Sequence, residues 1–206
     1  MSKVYLFWIL GIIALSVLIN CTGSNKEKGS MQSGEADTLQ PASGTTAAAV
    51  ASEPQFKVDE TFQKQLGDVL TSYIMLKETF VASDSNSVPS KALAIRESLS
   101  NVEVALLSGE ALKAGAKYLP ALENSLKDIQ STNNLEKQRR AFRVLSDSLY
   151  ATIKAFGLGG KEAYYEFCPM AFNEEGAYWI SETEKISNPY FGAKMLTCGE
   201  VKEKLK

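Results

Sequence analysis

The chain has 206 residues, a net charge of −2 and no histidine. Without histidine there is no Ser–His or Cys–His dyad, which argues against an enzyme of that kind. No basic block or stripe occurs, so nucleic acid is a poor partner.

Lys3 is the only charge before Val4–Ile19, an apolar run. It falls short of the roughly 20 residues that a helix needs to cross a bilayer, and fits a signal peptide over residues 1–20. The following "LINC", Leu18–Cys21, resembles a bacterial lipoprotein cleavage box, with Asn20 where a small residue is usual. That resemblance makes Cys21 the first mature residue and the site of lipidation. An uncleaved tethering helix is the alternative, and either version places the remainder in the cell envelope, facing the periplasm and held to the membrane. Residues 21–55 are rich in Ser, Gly, Thr and Ala and have almost no large apolar side chain. They cannot bury enough apolar area to offset ordering entropy, so a flexible tether is expected. At about 5–6 Å × √n its reach is roughly 30–35 Å.

The spacing from 56 to 160 predicts a mainly α fold, an up-down four-helix bundle. In the first helix Phe62, Leu66, Val69, Leu70, Tyr73, Ile74 and Phe80 form one stripe behind Asp59 as N-cap. The second runs from about Pro89 to Leu107, with Leu93, Ile95, Leu99, Val102 and Leu106 inward. After "SGE" comes a third, with Leu112, Leu119, Leu122, Leu126 and Ile129 inward and Pro120 as a kink or true start. "STNN" caps a fourth, carrying Leu135, Phe142, Leu145, Leu149, Ile153 and Phe156 and ending at "GLGG", Gly157–Gly160. Short loops imply antiparallel neighbours.

Residues 161–206 read as a small aromatic-rich module, one compact domain with the bundle. Glu162–Cys168 looks extended, Asn173–Gly176 is turn chemistry, and Ala177–Ser181 is the returning strand of a β-hairpin. "SNPYFG" marks a tight loop, and the tail "CGEVKEKLK" is expected to form a short helix. Two cysteines each stand close to a methionine here: Cys168 and Met170 in "FCPMAF", Met195 and Cys198 in "KMLTCG".

The run "AFGLGGKEAYYEFCPMAFNEEGAYWISETEKISNPYFGAKMLTCGEV" resembles the signature end of an exported bacterial domain family of unassigned function. The resemblance extends back through "EKQRRAFRVLSDSLYATIKAFG". That family occurs as lipoproteins and as an appendage of membrane-fusion subunits of copper- and silver-type efflux pumps, which implies such a subunit as partner. It often carries His and extra Met or Trp just after a "GEA" in the middle helices. This chain has Leu112, Lys113 and Ala114 there, so a metal site built on those positions is reduced or missing.

Two accounts of the sulfurs compete. If Cys168, Met170, Met195 and Cys198 converge, thiolate and thioether are soft ligands that select Cu(I) or Ag(I). Zinc is poorly served by thioethers and would need a carboxylate such as Glu166 or Glu200. Trp179 could cover the ion with its ring, or be plain core. Alternatively Cys168 and Cys198 form a disulfide, as exported proteins often do, closing a loop of about 30 residues worth roughly 3.5 kcal/mol. The methionines would then be gap-filling core. The first account makes a non-catalytic binding protein linked to copper or silver handling. The second makes a metal-free interaction module docking on an efflux or envelope partner.

Overall fold

A computed structural model describes residues 53–206. The signal peptide, Cys21 and all but the last residues of the tether lie outside them. The described residues belong to one compact unit. No helix among them is long and apolar enough to cross a membrane.

The protein is mainly helical. Four long helices come first: α1 (Glu60–Val81), α2 (Val88–Ser100), α3 (Gly109–Gln130) and α4 (Leu135–Phe156). Asp59 accepts the Thr61 N–H at 2.7 Å and so caps α1, while Asn134 accepts the Lys137 N–H at 3.0 Å and caps α4. Gly157, with φ of 79°, stops α4 by turning left-handed. Packing runs α1–α2, α2–α3 and α3–α4, and α1 also meets α4. This closed sequence of neighbours is compatible with the expected up-down arrangement. Phe62, Leu66, Tyr73, Phe80, Leu126 and Phe142 are among its fully buried side chains.

Three details differ from the sequence expectation. α2 ends at Ser100 rather than Leu107, and only a short 3-10 turn, Val104–Leu106, follows. Gln65 of α1 explains the stop, because its amide accepts the Glu103 N–H at 2.9 Å and donates to the Glu103 carboxylate at 3.0 Å. Leu93 and Leu112, expected inside, are 45 % and 41 % exposed. α3 continues through Pro120, which is therefore not its start. Pro120 and Ala116 are both exposed, so water can satisfy the Ala116 carbonyl that loses its intrahelical partner.

A three-stranded antiparallel sheet follows, in the order β2-β1-β3: β1 (Ala163–Cys168), β2 (Ala177–Ser181) and β3 (Glu200–Leu205). The hairpin of β1 and β2 is as expected, with Glu166 opposite Trp179 and Cys168 opposite Ala177. The tail is a strand, not the short helix expected. β1 is buried and would otherwise leave one row of backbone groups unpaired, and β3 supplies those partners. A shift in register between Tyr165 and Glu166 lets Tyr165 face Glu203 while Glu166 faces Val201. On one face Tyr165 stacks between Tyr150 of α4 and Tyr178, at 3.9 and 4.6 Å between ring centres. That stack joins the sheet to α4.

Candidate functional site

The four sulfur residues come from two stretches that the sheet carries together. Cys168 is the last residue of β1, and Phe167 pairs with Glu200 at the start of β3. Following that ladder one step beyond its end brings the Cys198–Gly199 segment alongside Cys168. The two cysteine sulfurs are hydrogen-bonding neighbours, near disulfide distance and unbonded. Cys168 is buried and Cys198 partly so. Burial pushes the Cys198 thiol up to about 11, the Cys168 sulfur beside it adds to the rise, and the backbone N–H of Met170, directed at the sulfur, opposes it. At neutral pH Cys198 is therefore a protonated thiol.

Each methionine touches this pair through its backbone. Met170 presents its N–H to Cys198, and the Met195 carbonyl accepts the Cys198 N–H at 3.1 Å. Both residues also line a pocket of about 360 Å³ whose walls include Phe172, Tyr190, Glu136 and Glu174. Met170 is 44 % exposed at its rim. The structure thus brings the two thiols together, with Met170 and Met195 as backbone neighbours of Cys198.

The backbone that presents Met170 is unusual. In the single helical turn Ala171–Glu174, Phe172, Asn173 and Glu174 have φ of 54°, 60° and 69°, left-handed at three successive non-glycine residues. Such residues cost of order 1–3 kcal/mol each and persist only when their surroundings hold them. Here the guanidinium groups of Arg140 and Arg143 lie 5.0 and 5.6 Å from the Phe172 ring. Arg143 also pairs with Glu175 at 2.8 Å.

The opposite loop is fixed by Asn188, which is fully buried. Its side-chain oxygen accepts the N–H of Tyr190 at 2.8 Å and of Phe191 at 3.3 Å, while its amide donates to the Cys198 carbonyl at 2.7 Å. Arg139 of α4 ties this loop to α1, donating to the carbonyls of Pro189 at 2.9 Å and Phe80 at 3.2 Å. Gly192 lets the loop approach that closely: a Cβ there would lie 2.6 Å from Ser83 Oγ and 2.8 Å from the Val81 carbonyl. "SNPYFG" pointed to a tight loop, but nothing local in it signalled that Asn188 would hold Cys198.

Trp179 is completely buried and packs edge-on against Tyr190 at 6.0 Å. Its ring reaches under Gly199, where a Cβ would come within 2.7 Å of it. In this position it is core beneath the Cys198 loop. Glu166 is its cross-strand partner. Its carboxylate is fully buried with no hydrogen-bonding partner among the described residues, and the Trp179 indole N–H is likewise unpaired. The indole still lies near enough to favour the charged carboxylate, as do Lys77 and Ser181, yet burial outweighs them and lifts Glu166 to about 7. Glu166 and Glu200 do not complete a zinc site: among the described residues no three of His, Cys, Asp and Glu are grouped to hold a metal.

No curated protein and no solved structure matches this chain. A family model described as "Protein of unknown function (DUF3347)" matches residues 69–161. Those residues take in most of α1 and all of α2, α3 and α4, and stop before both cysteine-bearing segments. A DUF3347 domain is therefore found in this chain over residues 69–161, which accords with a domain family of unassigned function.

Proposed function

We propose that this protein is a non-catalytic binder of a soft monovalent cation, Cu(I) or Ag(I), held at Cys168 and Cys198 and tethered to the membrane through a lipid on Cys21. The contact between the two sulfurs carries this reading. The ion is cargo, taken from one carrier and given to another. Two thiolates satisfy a soft ion that accepts low coordination numbers, whereas the absence of a grouped His or carboxylate among the described residues leaves little for a harder divalent ion. Binding releases the two thiol protons to solvent and leaves the oxidation state of the ion unchanged. The tether and the resemblance to efflux-associated domains make a pump's membrane-fusion subunit the natural recipient.

The same contact favours a second reading. Near disulfide distance, the two thiols can lose two protons and two electrons to an external disulfide and staple β1 to the loop before β3. The protein would then be a metal-free module docking on an efflux or envelope partner.

Competition between the reduced full chain in detergent and a chromophoric Cu(I) chelator separates the two. The first reading expects one equivalent of Cu(I) withdrawn from the chelator, and none by the Cys168→Ser or Cys198→Ser variants. Failure of the reduced wild type to withdraw copper, with no free thiol in freshly isolated protein, leaves only the second.

A further inference from the structure

We infer that the two thiols work in a fixed order: Cys198 is the outer thiol, where an external sulfur compound first engages the site, and Cys168 is the inner thiol that completes it. The order rests on the reading above that the two sulfurs form one site. It applies both to a soft cation handed over by a donor and to exchange with a disulfide.

Burial and local structure set the two cysteines apart. Cys168 is 0 % exposed, whereas Cys198 is partly exposed. Cys168 ends β1, the middle strand of the sheet, and lies opposite Ala177 of β2. Pro169 follows it and restricts its backbone to extended conformations. Reaching its sulfur from solvent therefore requires local opening of that end of the sheet. Cys198 instead lies in the loop that leads into β3, where Leu196, Thr197 and Glu200 are exposed.

The outer thiol is nonetheless held against the inner one. The Cys198 N–H donates to the Met195 carbonyl at 3.1 Å, and the Cys198 carbonyl accepts the Asn188 amide at 2.7 Å. At Gly199, with φ of 150°, a Cβ would lie 2.7 Å from the Trp179 ring and 3.1 Å from the Phe167 carbonyl oxygen. Only glycine lets the loop lie this close to the end of β1. A group captured at Cys198 thus stays beside Cys168.

With an external disulfide, Cys198 loses its proton to solvent and its thiolate attacks one of the two sulfurs. A mixed disulfide forms at Cys198, and the other half of the reagent leaves as a thiolate. Cys168 then loses its proton and attacks the Cys198 sulfur, releasing the second half. Two electrons pass from the thiol pair to the external disulfide. With Cu(I) or Ag(I) as cargo, Cys198 joins the ion while the donor still holds it, and Cys168 displaces the donor. The ion keeps its oxidation state, and the thiol protons go to solvent.

Oxidised glutathione, applied to the reduced full chain and followed by acid quenching and peptide mass mapping, tests the order. Mapping by peptide separates these two sites from Cys21. In the folded single-thiol variants, Cys198 of Cys168→Ser should form its mixed disulfide at least about tenfold faster than Cys168 of Cys198→Ser. The difference should vanish in concentrated urea. Equal rates in the folded variants, or a faster Cys168, overturn the order. Wild type guards against a variant that fails to fold: its early mixed disulfide should map to Cys198, and an early adduct on Cys168 overturns the order. Copper plays no part in this assay, so failure to withdraw Cu(I) from a chelator is a separate result. A wild-type mixed disulfide that never closes to Cys168–Cys198 overturns the order together with the shared site.

Discussion

Asn188 donates its side-chain amide to the carbonyl of Cys198 at 2.7 Å, while its oxygen gathers the N–H groups of Tyr190 and Phe191. One fully buried side chain thereby sets both the shape of the "NPYFG" loop and the height at which Cys198 meets Cys168. Asn188→Ala removes the partner of three backbone groups, the Tyr190 N–H buried and the Phe191 N–H and Cys198 carbonyl partly so. At about 1–3 kcal/mol for each group that water cannot reach, a loss of roughly 2–4 kcal/mol is expected. Urea unfolding measures it. The same variant should lose the ready oxidation of Cys168 to Cys198 by a small disulfide, read by mass after alkylation. A merely structural role elsewhere would leave the rate of that oxidation unchanged.

Arg139 fastens the loop to the bundle from the other side. It is buried, and its guanidinium serves the Pro189 and Phe80 carbonyls and Ser83 Oγ at once. Arg139→Met keeps much of the packing but removes all the donors, and should cost about 2–4 kcal/mol in urea unfolding. Arg140→Met is the control. That side chain reaches Phe172 from the pocket side, and its replacement should cost under about 1 kcal/mol.

How much of this was legible in the residues varies from place to place. The α1 stripe and its Asp59 cap follow from local periodicity, because helices carry their own hydrogen bonds. Leu93 and Leu112 fit the same periodicity yet are exposed, since spacing tells which residues share a face and not which face is covered. The tail was misread because a strand takes its partners from elsewhere: Glu200–Leu205 is extended only because β1 needs a second neighbour. The approach of Cys168 to Cys198 was foreseeable from their chemistry and rarity. Asn188 and Glu166 were not, as their roles depend on contacts with residues distant in sequence or on burial that no local pattern records.

Glu166 gives the protein a pH-dependent stability of a particular sign. Burial lifts its carboxyl from 4.5 to about 7, so the folded state holds a proton that the unfolded chain releases. Where the folded state binds more protons, stability falls as pH rises. The favourable contribution is complete below about 4.5 and gone above about 7. At about 1.4 kcal/mol per pKa unit the whole change amounts to about 3 kcal/mol. Glu166→Gln cannot ionise. It should match wild type near pH 4 and exceed its stability near pH 8, with urea midpoints at the two pH values as the readout.

Cys198 should be a slow nucleophile. With its thiol pushed up to about 11, little thiolate exists at neutral pH, and the rate of alkylation by iodoacetamide should rise about tenfold per pH unit from 7 to 10. Cys168→Ala removes the neighbouring sulfur that contributes to the rise. The alkylation profile of Cys198 should then shift to lower pH. An unshifted profile would mean that the two sulfurs do not interact in solution.

X-ray absorption at the copper edge, on the reduced full chain loaded with one equivalent of Cu(I), tests the shared sulfur site most directly. The account predicts a first shell made of sulfur alone, altered when either Cys168 or Cys198 is replaced by serine. A shell of nitrogen or oxygen, or a spectrum that neither serine variant changes, would contradict it.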